Sequence, residues 1–138
     1  MILVMSQEYF DKSKKDNKVE KREQQKIYLF IDDNANILNS LKLFFEKENV
    51  FFTECHSAQE ALAAISRYQP DVVLIDNSFS EENKNDGLEV IDALKDSNIK
   101  FYSITATSNK EVLGEYQKRG IRVLGKSNIN EIKKVLEE

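Results

Sequence analysis

The chain has 138 residues and a mass of 16.0 kDa, the size of one domain, which leaves no room for a second catalytic or DNA-binding domain. With 41% hydrophobic and 32% charged residues, four Gly and one Pro, it has the composition of a globular protein rather than a disordered or collagen-like one. The net charge of −4 is uneven: residues 1–26 carry 7 basic and 5 acidic side chains, residues 27–138 carry 13 and 19, and so acidic a body argues against direct nucleic-acid binding.

Ile2 to Met5 is too short an apolar stretch for a signal-peptide core, and no later run approaches the roughly 18 residues of a membrane span. The single Cys55 excludes an internal disulfide framework and suits a reducing compartment. A cytoplasmic protein without a membrane span is expected. Residues 1–26, ending in KKDNKVEKREQQK, have no sustained apolar period and are read as a charged, flexible tail ahead of a folded domain over 27–138.

From Ile27 onward, short apolar runs of strand length alternate with stretches whose apolar residues recur every three or four positions. The first run, Ile27 to Ile31, precedes a helical face of Ile37, Leu38, Leu41, Phe44 and Phe45. Val50 to Thr53 precedes a face of Ala58, Ala61, Leu62, Ile65 and Tyr68, with Ser57 and Glu60 at capping-box spacing. Val72 to Ile75 has no polar alternation, as expected of a central parallel strand covered on both faces, and is followed by Leu88, Ile91 and Leu94. Ile99 to Ile104 leads into a weaker helix from Ser108 to Arg119, in which Ser108 and Glu111 have capping-box spacing, Val112, Leu113 and Tyr116 are the large apolar residues, and Gly120 is the stop. Ile121 to Leu124 and a face of Ile129, Ile132, Val135 and Leu136 complete the chain. Strict βα alternation over this length predicts a doubly wound α/β sandwich around a parallel five-stranded sheet.

Ligands of such sheets bind beyond the carboxyl ends of the strands, where strand order reverses. Those ends carry Asp32 and Asp33, then Asp76, then Thr105 with Ala106, then Gly125 with Lys126. Taken singly, each has a plainer role: Asp33 or Asn34 can cap a helix, Asp76 can form a turn, Thr105 suits a strand and Lys126 suits a surface. Jointly, three carboxylates at one edge repel one another unless a cation offsets them, and oxygen donors favour Mg²⁺ or Mn²⁺. Lys126 adds a mobile positive charge and Thr105 a hydroxyl donor, equipment for holding a phosphoryl group.

Asp32 and Asp33 in IYLFIDD, Asp76 in VVLIDNS, the Asp86–Gly87 pair, Thr105 and Ala106 in YSITAT, and Lys126 in VLGKS make the chain resemble the receiver domains of two-component response regulators over residues 27 to about 137. The resemblance implies a flavodoxin-like (βα)5 fold with strand order 2-1-3-4-5. It implies that Asp76 accepts a phosphoryl group from a phosphohistidine on a sensor histidine kinase or histidine phosphotransfer protein. It further implies that Asp33 and Asp76 bind Mg²⁺ directly, Asp32 through water and Ser78 through its backbone carbonyl, while Lys126, Thr105 and the backbone N–H groups of Asn77 and Ala106 hold the transferred oxygens. The product would signal by docking an unknown downstream protein or by passing the phosphoryl group on, without acting as a turnover enzyme.

The sequence also departs from the family. The Asp76 to Gly87 loop is longer than usual, and Ser80 stands where a Pro is customary. Ser127 follows the Lys in place of a Pro in a cis peptide, so a trans peptide and a reoriented Lys126 are expected. Val123 stands where an aromatic switch often lies, leaving Tyr102 or Tyr116 as substitutes. Two alternatives follow: a degenerate receiver that binds partners without phosphorylation, and a Mg²⁺-dependent phosphohydrolase with an Asp nucleophile. The single His56 and Cys55 are read as a surface residue and a small apolar residue.

Overall fold

The computed structural model describes residues 25–79 and 85–138. Tyr28–Asp32 (β1), Ala35–Phe45 (α1), Val50–Glu54 (β2), Ala58–Tyr68 (α2), Val72–Asp76 (β3), Asp86–Ala93 (α3), Lys100–Thr105 (β4), Lys110–Lys118 (α4), Arg122–Gly125 (β5) and Ile129–Leu136 (α5) follow one another without interruption of the alternation. All strand pairs are parallel, in the order β2-β1-β3-β4-β5, so β3 is central as its unbroken apolar run requires.

Two apolar layers clasp the sheet. Leu29, Ile31, Val73 and Ile75 pack with α2, α3 and Tyr116 of α4 on one face, whereas Phe30, Leu74, Tyr102 and Ile104 pack with α1 and α5 on the other. Side chains that alternate along β1 and β3 thus feed opposite cores, and both strands are buried throughout. The crossover of β1 between β2 and β3 is where strand order reverses, and Asp32 and Asp76 follow the paired Ile31 and Ile75 there.

The helix starts follow local chemistry. Ser57 Oγ accepts from the Glu60 N–H at 3.1 Å and Glu60 Oε1 accepts from the His56 N–H at 2.7 Å, a reciprocal box offset by one residue at its second bond. The box expected at Ser108 and Glu111 is not formed. Asn109, one residue further on, takes the cap by accepting from the Glu111 and Val112 N–H groups at 2.9 and 3.2 Å, and Asn is as good a cap as Ser. Asn34 likewise caps α1, accepting from Asn36 and Ile37, which frees Asp33 from that duty. Gly120, at φ 69°, follows α4 as its stop.

Phe44 departs from its expected place. Leu38, Leu41 and Phe45 fill the stripe of α1, and Phe44 lies about 90° from its centre at 100° per residue, leaving it 64% exposed beside Leu43 at 86%. Ser80 and most of the expected tail over 1–26 lie outside the described residues.

Candidate functional site

The register of the sheet brings the predicted residues to one edge. Asp76 pairs with Ile104 and Thr105 with Gly125, so Asp32, Asp76, Thr105 and Lys126 stand side by side at successive strand ends. Asp76, Asn77, Ser78, Thr105, Ala106 and Lys126 contribute to one open cleft of about 590 Å³. Carboxylate oxygens of Asp32, Asp33 and Asp76 all lie within 4.8 Å of one another, a donor set of the size and hardness that a divalent cation takes.

Lys126 reaches over this cluster. Its Nζ lies 3.1 Å from Asp32 Oδ2 and 3.2 Å from Asp76 Oδ1, and its N–H donates to the Thr105 carbonyl at 3.2 Å, tying the β5 loop to β4. No cis peptide occurs among the described residues. The expected reorientation of Lys126 is therefore not seen: the four-carbon stem spans the gap with a trans backbone because the two buried anions attract its charge.

The electrostatics are those of a crowded acidic site. Burial, then the neighbouring Asp32 charge, pushes Asp76 up to about 6 against the opposing pull of Lys126. Burial also raises Asp32, which Lys126 and the Asn34 N–H partly offset; that N–H donates to Asp32 Oδ1 at 3.0 Å. Burial works to lower Lys126, but the charges of Asp76 and Asp32 outweigh it and raise its pKa.

The backbone around Asp76 is held from several sides. The Asn77 N–H donates to Asp76 Oδ1 at 2.9 Å, and the Gly87 N–H to the Asn77 carbonyl at 2.9 Å. Asp86, buried at the start of α3, accepts from the Phe79 N–H at 2.9 Å and so ties the segment after Ser78 to α3. On the opposite wall Thr105 Oγ1 accepts from the Thr107 backbone N–H and Thr107 Oγ1 from the Asn109 backbone N–H, each at 3.1 Å, so two threonine hydroxyls shape the loop bearing Ala106.

A family model for the response regulator receiver domain matches residues 28–137, nearly the whole described fold. The chain belongs to the response regulator receiver domain family. No curated protein matches the sequence. Among solved structures, the receiver domain of the Francisella response regulator 1452 is 26% identical with a TM-score of 0.65, covering 82% of this chain and 94% of that one. The signal receiver domain of a putative LuxO repressor protein from Vibrio parahaemolyticus (17% identity, TM-score 0.67, covering 82% and 88%) shares the fold. So does the signal receiver domain of an HD domain-containing protein from Pseudomonas fluorescens Pf-5 (18%, TM-score 0.68, 82% and 92%).

Within this receiver, the two tyrosines singled out by the sequence part company. Tyr102 faces the α1 and α5 core and donates to Glu138 at 3.1 Å, whereas Tyr116 is fully buried and donates from its hydroxyl to Asn77 Oδ1, next to Asp76. Val123 packs partly buried against the core on the Tyr116 side. His56 is exposed, its Nε2 2.7 Å from Glu54 Oε2, and Cys55 is buried with its thiol pushed up to about 11, chiefly by burial. Sequence reasoning missed the anchoring of Phe79 by Asp86 and the bond from Tyr116 to Asn77. A lone aromatic in a helix otherwise poor in large apolar residues was the available signal for the second.

Proposed function

We propose that this receiver is a phosphorylation-controlled signalling domain whose Asp76 attacks the phosphorus of a phosphohistidine on a sensor histidine kinase or phosphotransfer protein. An Asp76 oxygen forms the new O–P bond, the N–P bond breaks, and the histidine departs as the free imidazole after taking up a proton. The observation that carries this reading is the meeting of Asp76, Asp32 and Lys126 at one strand edge, with Lys126 bridging both carboxylates.

Asp32, Asp33 and Asp76, with the Ser78 carbonyl, are the residues that would hold Mg²⁺ or Mn²⁺; three acidic groups this close, two of them with raised pKa, suit a divalent cation. When bound, such an ion screens the anionic donor from the anionic nucleophile. The chain supplies the rest. Lys126 pairs with the incoming negative charge, Thr105 donates its hydroxyl, and the N–H groups of Asn77 and Ala106 complete the cradle. We read the protein as a phosphoacceptor rather than a turnover enzyme, acting through docking to a downstream protein or onward transfer. Retention of Lys126 in bonding reach of both acids favours this over a phosphorylation-independent docking module.

Incubation with Mg²⁺ and acetyl phosphate, followed by intact mass measurement, tests the reading. The mass should rise by one phosphoryl unit, with no rise when Mg²⁺ is chelated; a protein that stays unmodified under both conditions contradicts it.

A further inference from the structure

Tyr116 lies on α4, yet its side chain has no exposure to solvent, and its hydroxyl reaches the residue that follows Asp76. Three bonds that hold Asn77 converge here. Its N–H donates to Asp76 Oδ1, its carbonyl accepts from Gly87 of α3, and its side-chain Oδ1 accepts from Tyr116. Two helices thus grip one residue of the cleft, and the peptide leading to Ser78 is fixed between them.

The fit around this hydroxyl is tight. A Cβ on Gly87 would lie 2.7 Å from Tyr116 Oη, 2.6 Å from the Asp76 carbonyl oxygen and 3.2 Å from Asn77 Cα, so only glycine admits the tyrosine at this depth. The Ser103 hydroxyl, on the neighbouring strand β4, is buried with no hydrogen bond of good geometry, though its closeness lowers the Tyr116 pKa against a larger rise from burial. Asn77 is therefore the partner that orients Tyr116. Arg119, one turn end further along, clamps the same stretch to α3 through Asp92 at 2.7 and 2.9 Å.

We propose that Tyr116 is a positioning residue for phosphoryl transfer: by holding Asn77 it sets the aim of the Asn77 N–H and of the Ser78 carbonyl toward the reacting groups at Asp76. The proposal rests on Asp76 being the acceptor. It identifies a fastening that the sequence places outside the acidic and Lys126 machinery. Donors aimed before the reaction need not reorganise during it, so loosening Asn77 slows the chemical step more than it weakens capture of the donor.

The test uses the full chain with Mg²⁺ and acetyl phosphate, Asp76 modification being followed by intact mass across donor concentrations. Tyr116→Phe keeps the buried ring and removes the hydroxyl, and Asn77→Ala removes the other partner, so the same bond is reached from both sides even if one variant fails to give a cooperative melt. The saturating rate should fall roughly fivefold to tenfold in Tyr116→Phe, the size of one lost neutral hydrogen bond, with the half-saturating donor concentration little changed. Tyr116→Phe/Asn77→Ala should be no slower than the slower single variant. A wild-type rate in Tyr116→Phe, or losses that multiply in the double variant, overturns the positioning role while leaving Asp76 as acceptor. No modification of the wild-type protein overturns the acceptor reading itself, and the positioning role with it.

Discussion

Lys126 Nζ and Asp76 Oδ1 form an ion pair of 3.2 Å in which the lysine side chain is 18% exposed and the aspartate side chain 8%. The lysine also neutralises Asp32 at 3.1 Å, so one cation serves two buried anions. Removing it leaves those carboxylates facing each other without an offsetting charge. Lys126→Met should therefore lower stability at pH 7.5 by about 3 kcal/mol in the absence of added metal, and by less at pH 5, where protonation of Asp76 relieves the repulsion. Urea melts at the two pH values check this; equal losses at both would show that the lysine acts through packing of its stem.

The pH dependence has a definite sign. Asp76 is raised to about 6 from its ordinary 3.8, mainly by burial and then by Asp32, so the folded protein retains a proton that the unfolded chain has already released between those values. The contribution of Asp76 to stability is complete below the unfolded pKa and is lost as pH rises through about 6. With EDTA present, melting temperature should fall across that window, and Asp76→Asn should flatten the fall. An unchanged slope in the variant would assign the titration elsewhere.

β3 and α4 show what sequence periodicity specifies in this fold and what tertiary contacts decide. The run Val72 to Ile75 announces a central strand because parallel strands buried on both faces need apolar residues at every position, and all five residues of β3 are buried. Strand ends then placed Asp32, Asp76, Thr105 and Lys126 together, since parallel register puts like ends at like edges. The reach of Lys126 was not legible, because it depends on the path of a loop rather than on periodicity. Nor was the depth of Tyr116, which depends on the missing Cβ of Gly87, distant in sequence. The cap of α4 fell to Asn109 rather than Ser108 because adjacent polar residues offer nearly equal capping chemistry.

A divalent cation held by the three crowded acids, as proposed, would stabilise the folded state. Mg²⁺ at a hundred times its dissociation constant should add about 2.7 kcal/mol, seen as a higher melting temperature. Asp33→Ala should remove most of that increment and leave the metal-free protein as stable or slightly more so, by removing one member of the repelling cluster. An undiminished increment would place the metal away from Asp33.

Two glycines offer a matched comparison. At Gly87 a methyl group would meet backbone atoms at 2.6 and 3.2 Å, so Gly87→Ala should destabilise by about 2 to 4 kcal/mol. At Gly114, within α4, a Cβ meets nothing within 4 Å, and Gly114→Ala should stabilise by about 0.5 to 1 kcal/mol. Chemical denaturation of both variants measures the difference; a neutral Gly87→Ala would mean the Tyr116 and Asp76 contacts yield readily.

The position of the phosphoryl group decides whether Asp76 is the acceptor. An aspartyl phosphate is reduced by borohydride to homoserine, so the protein would be treated with Mg²⁺ and acetyl phosphate, reduced, digested and sequenced by mass spectrometry. Homoserine should appear at position 76 with Asp32 and Asp33 intact, and nowhere in Asp76→Asn. Homoserine at position 32 or 33 of the wild-type protein, or none at any position despite full folding, would contradict it.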